Sequence, residues 1–196
     1  MKYNILFLFF FFAAKLLLAQ NFNAGIRIGV CGSQVNGDNL SGYNKAGLIA
    51  GAYVSRKFSD HISLQMEMVY IQKGSRKPTD LNNNYYRLRV HYMEVPLLVL
   101  FHVSKKIDLT AGPSFGTLIF SEENDEFGIF PNSPSFKKFE VSGNVGIVYK
   151  INDKWSFDAR YSNSLTTIRP YPGTYSTFFD RGQYNVLIEF SLIYRF

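Results

Sequence analysis

Eight stretches of this chain place apolar residues at every second position, and the joins between them alternate long and short without exception. Successive side chains of a strand point to opposite faces, so each stretch reads as a strand with one greasy and one wetter side. The stretches are about 22–31, 46–58, 62–73, 87–104, 107–119, 138–150, 155–165 and 184–196. None carries a convincing helical repeat. The pattern predicts an all-β fold, an eight-stranded antiparallel up-and-down transmembrane β-barrel. Four long loops gather at one end, and three tight turns with both termini gather at the other.

The two ends of the chain add to this. In the last stretch Tyr184, Val186, Ile188, Phe190, Leu192, Tyr194 and Phe196 share a face. A strand ending on such an aromatic resembles the C-terminal signal that the insertion machinery of bacterial outer-membrane barrels recognises, with Tyr194 and Phe196 as the signal residues. At the other end Lys2, the apolar run Ile5 to Ala14, and Ala19-Gln20 have the order of a secretory signal peptide. A bilayer span needs about 20 apolar residues, and Lys15 interrupts this run. Cleavage between Ala19 and Gln20 is expected, giving a signal peptide at 1–19 and a barrel domain at 20–196. Cys31 follows Arg27-Ile28-Gly29-Val30, which is not a lipobox, and a single cysteine forms no internal disulfide.

Alternation alone does not say which face meets lipid, because a soluble barrel points its apolar face inward. Three features favour the membrane arrangement. Arg27, Glu67, Glu140, Asp158, Arg160 and Glu189 share the wetter face with Gly25, Gly29, Gly112, Gly116 and Gly146, as a narrow polar lumen requires. Aromatics make up 17% of the chain, and Phe58, Phe101, Tyr149, Trp155, Tyr194 and Phe196 fall near the tight-turn ends, where an interfacial girdle sits. The first strand also lacks the Gly-x-Trp start of lipocalins. An eight-stranded barrel is just wide enough for side chains to fill. Its lumen should therefore be closed by a salt-bridge network of Arg27, Glu67, Glu94, Asp158, Arg160 and Glu189, since isolated buried charges are costly. In the fourth strand Leu88, Val90 and Tyr92 are out of phase with Val95, Leu97, Val99, Phe101 and Val103. A β-bulge around Met93-Glu94, beside Pro96, would restore the face.

Little of the chain looks like chemistry. The formal charge of +6 is scattered, which gives nucleic-acid binding no support. His61, His91 and His102 lie far apart in this topology, without metal-ligand spacing. A lipid-directed Ser/His/acid hydrolase would need its three groups in reach at the outer rim, where only His91 stands, with Glu94 as its one acidic neighbour. No catalytic, cofactor or metal site is assigned. The loops are the better place for function. One carries the acidic run Glu122, Glu123, Asp125 and Glu126, then Phe127, Phe130, Pro131 and Pro134. Another carries Arg169, Tyr171, Pro172, Tyr175, Phe178, Phe179 and Arg181. They read either as solvated, packed caps or as a partner surface, the acidic run then holding a divalent ion.

Several runs then resemble the PorT-like outer-membrane β-barrel family of Bacteroidota: Gly25-Ile26-Arg27-Ile28-Gly29, Lys45-Ala46-Gly47-Leu48 to Gly51, Ser63-Leu64-Gln65-Met66-Glu67 with Lys73-Gly74, Tyr92-Met93-Glu94-Val95-Pro96-Leu97-Leu98, Ala111-Gly112-Pro113, and Tyr161-Ser162 with Leu165-Thr166. The Tyr-x-Glu-Val-Pro-Leu-Leu run is the most telling. The resemblance implies an eight-stranded barrel in the bacterial outer membrane, loops extracellular and termini periplasmic; the family's namesake takes part in protein secretion. The expected partners are outer-membrane lipid, the insertion machinery and a protein at the long loops. The expected role is non-enzymatic, whether structural, adhesive, partner-binding or accessory to secretion; the alternative is a lipid-modifying barrel enzyme or small transporter.

Overall fold

A computed structural model describes residues 22–38, 40–79, 84–125, 128–129, 135–170 and 182–196. Eight long strands follow one another: β1 Phe22–Asn36, β2 Lys45–Lys57, β3 Ile62–Lys77, β4 Tyr86–His102, β5 Ile107–Asp125, β6 Phe139–Lys150, β7 Trp155–Ser164 and β8 Gly182–Arg195. Each pairs antiparallel with the next, and β1 pairs with β8 from Gly25 opposite Arg195 to Asn36 opposite Tyr184, closing the barrel. Two-residue segments, Gly128–Ile129 and Arg169–Pro170, add to β5 and β8 beyond the ring. Among the described residues no helix is long and apolar enough to cross a membrane.

The outer wall is apolar. Ile26, Ile28, Leu48, Met66, Met68, Phe115, Val145, Ile147 and Phe190 are all exposed on it, while their alternating neighbours Arg27, Glu67, Ser114, Asn144 and Glu189 are buried inside. This is a soluble barrel turned inside out. A closed ring leaves no sheet edge with unpaired backbone groups, which lipid demands.

The three tight turns repeat one device that the sequence reading missed. In Phe58-Ser59-Asp60-His61-Ile62, Val103-Ser104-Lys105-Lys106-Ile107 and Ile151-Asn152-Asp153-Lys154-Trp155, the amides of the first two residues both donate to the carbonyl of the fifth. The side-chain oxygen of Ser59, Ser104 or Asn152 accepts the amides two and three residues on, at 2.9 to 3.3 Å. A short polar side chain bonding its own backbone is what stabilises so sharp a reversal.

Two expectations need correcting. Two strands run further toward the long loops than the alternation indicates, β3 to Lys77 rather than Lys73 and β5 to Asp125 rather than Ile119, and β3, β4 and β5 have 16, 17 and 19 residues, against the 9 to 11 that cross a tilted barrel's hydrocarbon belt. They project beyond the greasy belt. The bulge near Met93-Glu94 is also absent: β3 and β4 keep one register from Ile62 opposite Phe101 to Lys77 opposite Tyr86, and β4 alternates inward and outward throughout. Leu88, Val90 and Tyr92 point inward, as Glu94 and Leu98 do, and Arg87, Arg89 and His91 point outward. What changes along β4 is the surroundings: its loop half has left the lipid belt, and the lumen there is apolar. The extra residue sits on β5 instead. His91 pairs with Phe120 and Tyr92 with Leu118, so Ile119 is skipped, and the inward parity moves from Gly116 and Leu118 to Glu123.

Candidate functional site

From the tight-turn end toward the long loops the lumen is filled in layers. A vestibule of about 730 Å³ opens at the tight-turn end, its wall including Ser63, Gln65, Leu100, His102, Asp108 and Lys150. Above it Arg27 reaches Glu67 at 2.9 Å, Glu189 at 2.7 Å and Asp158 at 3.1 Å. Arg160 reaches Glu67 at 2.9 Å and Asp158 at 3.0 Å. Glu67 thus lies between two guanidiniums, and Arg27 Nε donates to Ser191 as well. Strand pairing keeps these charges at one height: Glu189 stands opposite Arg160 across β7 and β8.

Glu94 is not part of that cluster. It pairs with Lys73, which also donates to Glu140 at 3.0 Å. Two carboxylates against one ammonium would leave excess negative charge, and neutral donors offset it: Ser114 bonds Glu94, while Ser142, Ser164 and Asn185 bond Glu140. Hydrogen bonds to an ionised acceptor are about twice as strong as neutral ones. Gly116 makes room here, because a Cβ on it would stand 3.3 Å from both Glu94 and Tyr92. Sequence reading left Lys73 out of the lumen although it continues the odd-numbered parity of Ser63, Gln65 and Glu67. That parity was the available signal.

The loop half of the lumen is apolar. Cys31, Val35, Ile49, Val69, Ile71, Leu88, Val90, Tyr92, Ile168 and Leu187 form one buried cluster. Charge pairing therefore closes only part of the lumen, and a hydrophobic plug closes the rest. Cys31 is 3% exposed within it. Above the plug Arg169 grips Glu123 through both terminal nitrogens, at 2.6 and 2.9 Å, donates to Gln183 and lies over the Phe136 ring. Tyr86 donates to the same Glu123 at 2.5 Å. This joins the loop ends of β4, β5 and β8.

The acidic run does not converge on one point. Glu123 faces inward to Arg169, and its neighbour Glu122 is held by Arg89 and Asn124. Among the described residues no group of three or more His, Cys, Asp or Glu side chains is placed to hold a metal. Glu126, Phe127, Phe130, Pro131 and Pro134 lie outside the described residues, as do Tyr171, Pro172, Tyr175, Phe178, Phe179 and Arg181, and Ala19 and Gln20 with the whole of 1–19. Tyr194 and Phe196 lie together at the tight-turn end, rings 6.0 Å apart, with Trp155 4.8 Å from Tyr194.

Two of the histidines are not far apart: the His102 amide donates to the His61 carbonyl at 2.8 Å, and both residues line the vestibule. His91 faces outward, bonded to Tyr70 at 2.9 Å and packed on Phe120, so inward Glu94 does not serve it. His102 has both nitrogens engaged, Nε2 2.7 Å from Ser63 Oγ and Nδ1 2.7 Å from Asp108 Oδ1. These three residues are brought together at the end opposite the one considered. Only the pairing register could have shown it, since His102 stands directly opposite Asp108 across the β4–β5 turn.

Residues 18–169 match the family model described as outer membrane protein beta-barrel domain. No curated protein matches the chain. Among solved structures, Neisserial surface protein A superimposes with a TM-score of 0.56 at 12% identity, over 90% of this chain and 100% of that one. Ail of Yersinia pestis, in complex with the heparin analogue sucrose octasulfate, gives 0.53 at 14% identity, over 90% and 99%. CarO of Acinetobacter baumannii gives 0.50 at 9% identity, over 88% and 97%. At such identities these likenesses concern the fold. The family match, spanning most of the chain, and the inside-out barrel agree: this chain belongs to the outer-membrane β-barrel protein family.

Proposed function

We propose that this protein holds its four long loops outside the cell, its termini in the periplasm, and binds an anionic partner at the loop end. The observation that carries the reading is on the projecting part of β3 and β4. Arg76 and Arg87 stand directly opposite each other there, both exposed. Like charges directly opposed across strands are destabilising, and a bound sulfate or phosphate group removes that cost. The Arg169–Glu123–Tyr86 lock supports the reading by fixing the base of this surface. The similar Ail structure holds sucrose octasulfate, which makes a polysulfated sugar the first probe.

The test is titration of sucrose octasulfate into the folded chain in lipid nanodiscs. Saturable binding that weakens with salt, and weakens about tenfold in Arg76→Ser with Arg87→Ser, is the expected result. Absence of binding by the folded wild type overturns the anionic partner. The run from Tyr92 to Leu98, which most resembles PorT-like proteins, has a barrel explanation, since Tyr92 and Glu94 pack the lumen. It gives a secretion role no separate support. Gene disruption with lipid A mass spectrometry and a secreted-protease assay separates the remaining readings: a changed lipid profile favours a lipid-modifying enzyme, and lost secretion favours an accessory role.

A further inference from the structure

We infer that Ser63, His102 and Asp108 form a nucleophilic hydrolase site in the tight-turn vestibule, acting on small carboxylic esters. The three side chains sit on neighbouring strands β3, β4 and β5, not on loops, so the sheet holds their spacing. Ser63 Oγ is 2.7 Å from His102 Nε2, and His102 Nδ1 is 2.7 Å from Asp108 Oδ1. Lys150 lies 2.6 Å from the same Asp108 oxygen. A carboxylate accepting the Nδ1 proton leaves Nε2 as an acceptor for the serine hydroxyl, which is the order of roles an activated serine needs. All three residues line the cavity of about 730 Å³, a volume in the range of small-molecule pockets. A serine that merely satisfied its hydroxyl in a filled lumen would not face such a space.

The lining sets the substrate class. Leu100, Val148 and Ile193 offer an apolar wall to a short acyl chain; with Lys57 paired to Asp60, the cations Lys105, Lys106 and Arg195 outnumber Asp153 on the rest of the rim and favour an ester carrying negative charge. In the reaction Ser63 Oγ bonds to the carbonyl carbon while His102 Nε2 takes the hydroxyl proton. Collapse of the adduct breaks the ester C–O bond, and His102 returns the proton to the departing alcohol. Water then bonds to the acyl carbon as His102 Nε2 takes its proton; the Ser63 Oγ–carbon bond breaks, His102 returns that proton to Oγ, and the carboxylic acid leaves. Backbone amides of paired strands are committed to the ladder, so the oxyanion depends on side-chain donors. Acylation is accordingly the event to read, with slow turnover behind it.

The experiment treats the folded full-length barrel in detergent micelles with a fluorophosphonate probe and maps the adduct by peptide mass spectrometry. A single adduct on Ser63 is expected, lost in Ser63→Ala and slowed at least about 100-fold in His102→Gln and Asp108→Asn, with circular dichroism reporting that each variant keeps its β-sheet. Wild-type protein that is folded and unlabelled at Ser63 overturns the proposal without recourse to any variant. So does labelling at an unchanged rate in folded His102→Gln. The site lies at the opposite end from the loop surface, so this outcome and the sugar titration stand independently.

Discussion

Around the middle of the lumen, paired charges fill the barrel; towards the long loops, aliphatic side chains do. Both arrangements exclude water, but they fail differently. Removing one partner from a buried ion pair strands the other charge, whereas truncating an aliphatic side chain only leaves a void. The first error should therefore be the worse one, and it should be sharply dependent on which partner is removed.

Glu67→Ala gives the largest expected effect. It leaves Arg27 and Arg160 both without their shared carboxylate, and breaking a buried pair costs about 3–5 kcal/mol. The urea midpoint of the chain folded into vesicles reads it, and a midpoint within error of wild type would show that Asp158 and Glu189 suffice. Leu187→Ala tests the plug. Leu187 is fully buried, and such truncations cost about 2–5 kcal/mol depending on how far the site collapses. Should it prove costlier than Glu67→Ala, the ranking of the two halves is reversed.

Asn152→Ala tests whether the turns matter on the same scale. It removes two hydrogen bonds to the amides of Lys154 and Trp155, with an expected loss of about 1–3 kcal/mol at about 0.5–1.5 for each. The smallest effect concerns Asp38, just beyond β1. Burial raises its carboxyl above the ordinary range, partly offset by hydrogen bonds from Ser75 and the Leu40 amide. A raised native value means that protonation favours the folded arrangement. Its contribution is fully present below the ordinary carboxylate value of about 3.9 and is lost as pH rises through the raised one. The urea midpoint of wild type should fall over that window relative to that of Asp38→Asn; parallel profiles would exclude the assignment.

Much of the barrel was legible because lipid and a narrow lumen both impose period two on the sequence. Ile26 to Val30 and Phe190 to Phe196 alternate so plainly that strand, face and antiparallel order follow from them. Arg27 and Arg160 could be placed inside for the same reason. Legibility stopped where the surroundings changed chemistry. On β4 the apolar parity crosses from inside to outside after Tyr92, which resembles an inserted residue, and the real insertion at Ile119 on β5 left no mark in the pattern. Glu94 shows the same limit: its face was readable, but its partner Lys73 depends on how the strands stagger.

Residue types at alternate positions determined that eight strands close into a barrel with an apolar exterior and charges within, because side-chain direction along a strand is a local property. Tertiary structure decided which of those inward groups meet: Lys73 with Glu94 and Glu140, Arg169 with Glu123, and Ser63 with His102 and Asp108. These contacts join different strands, and their distances are fixed by pairing register and barrel closure, which no single strand contains.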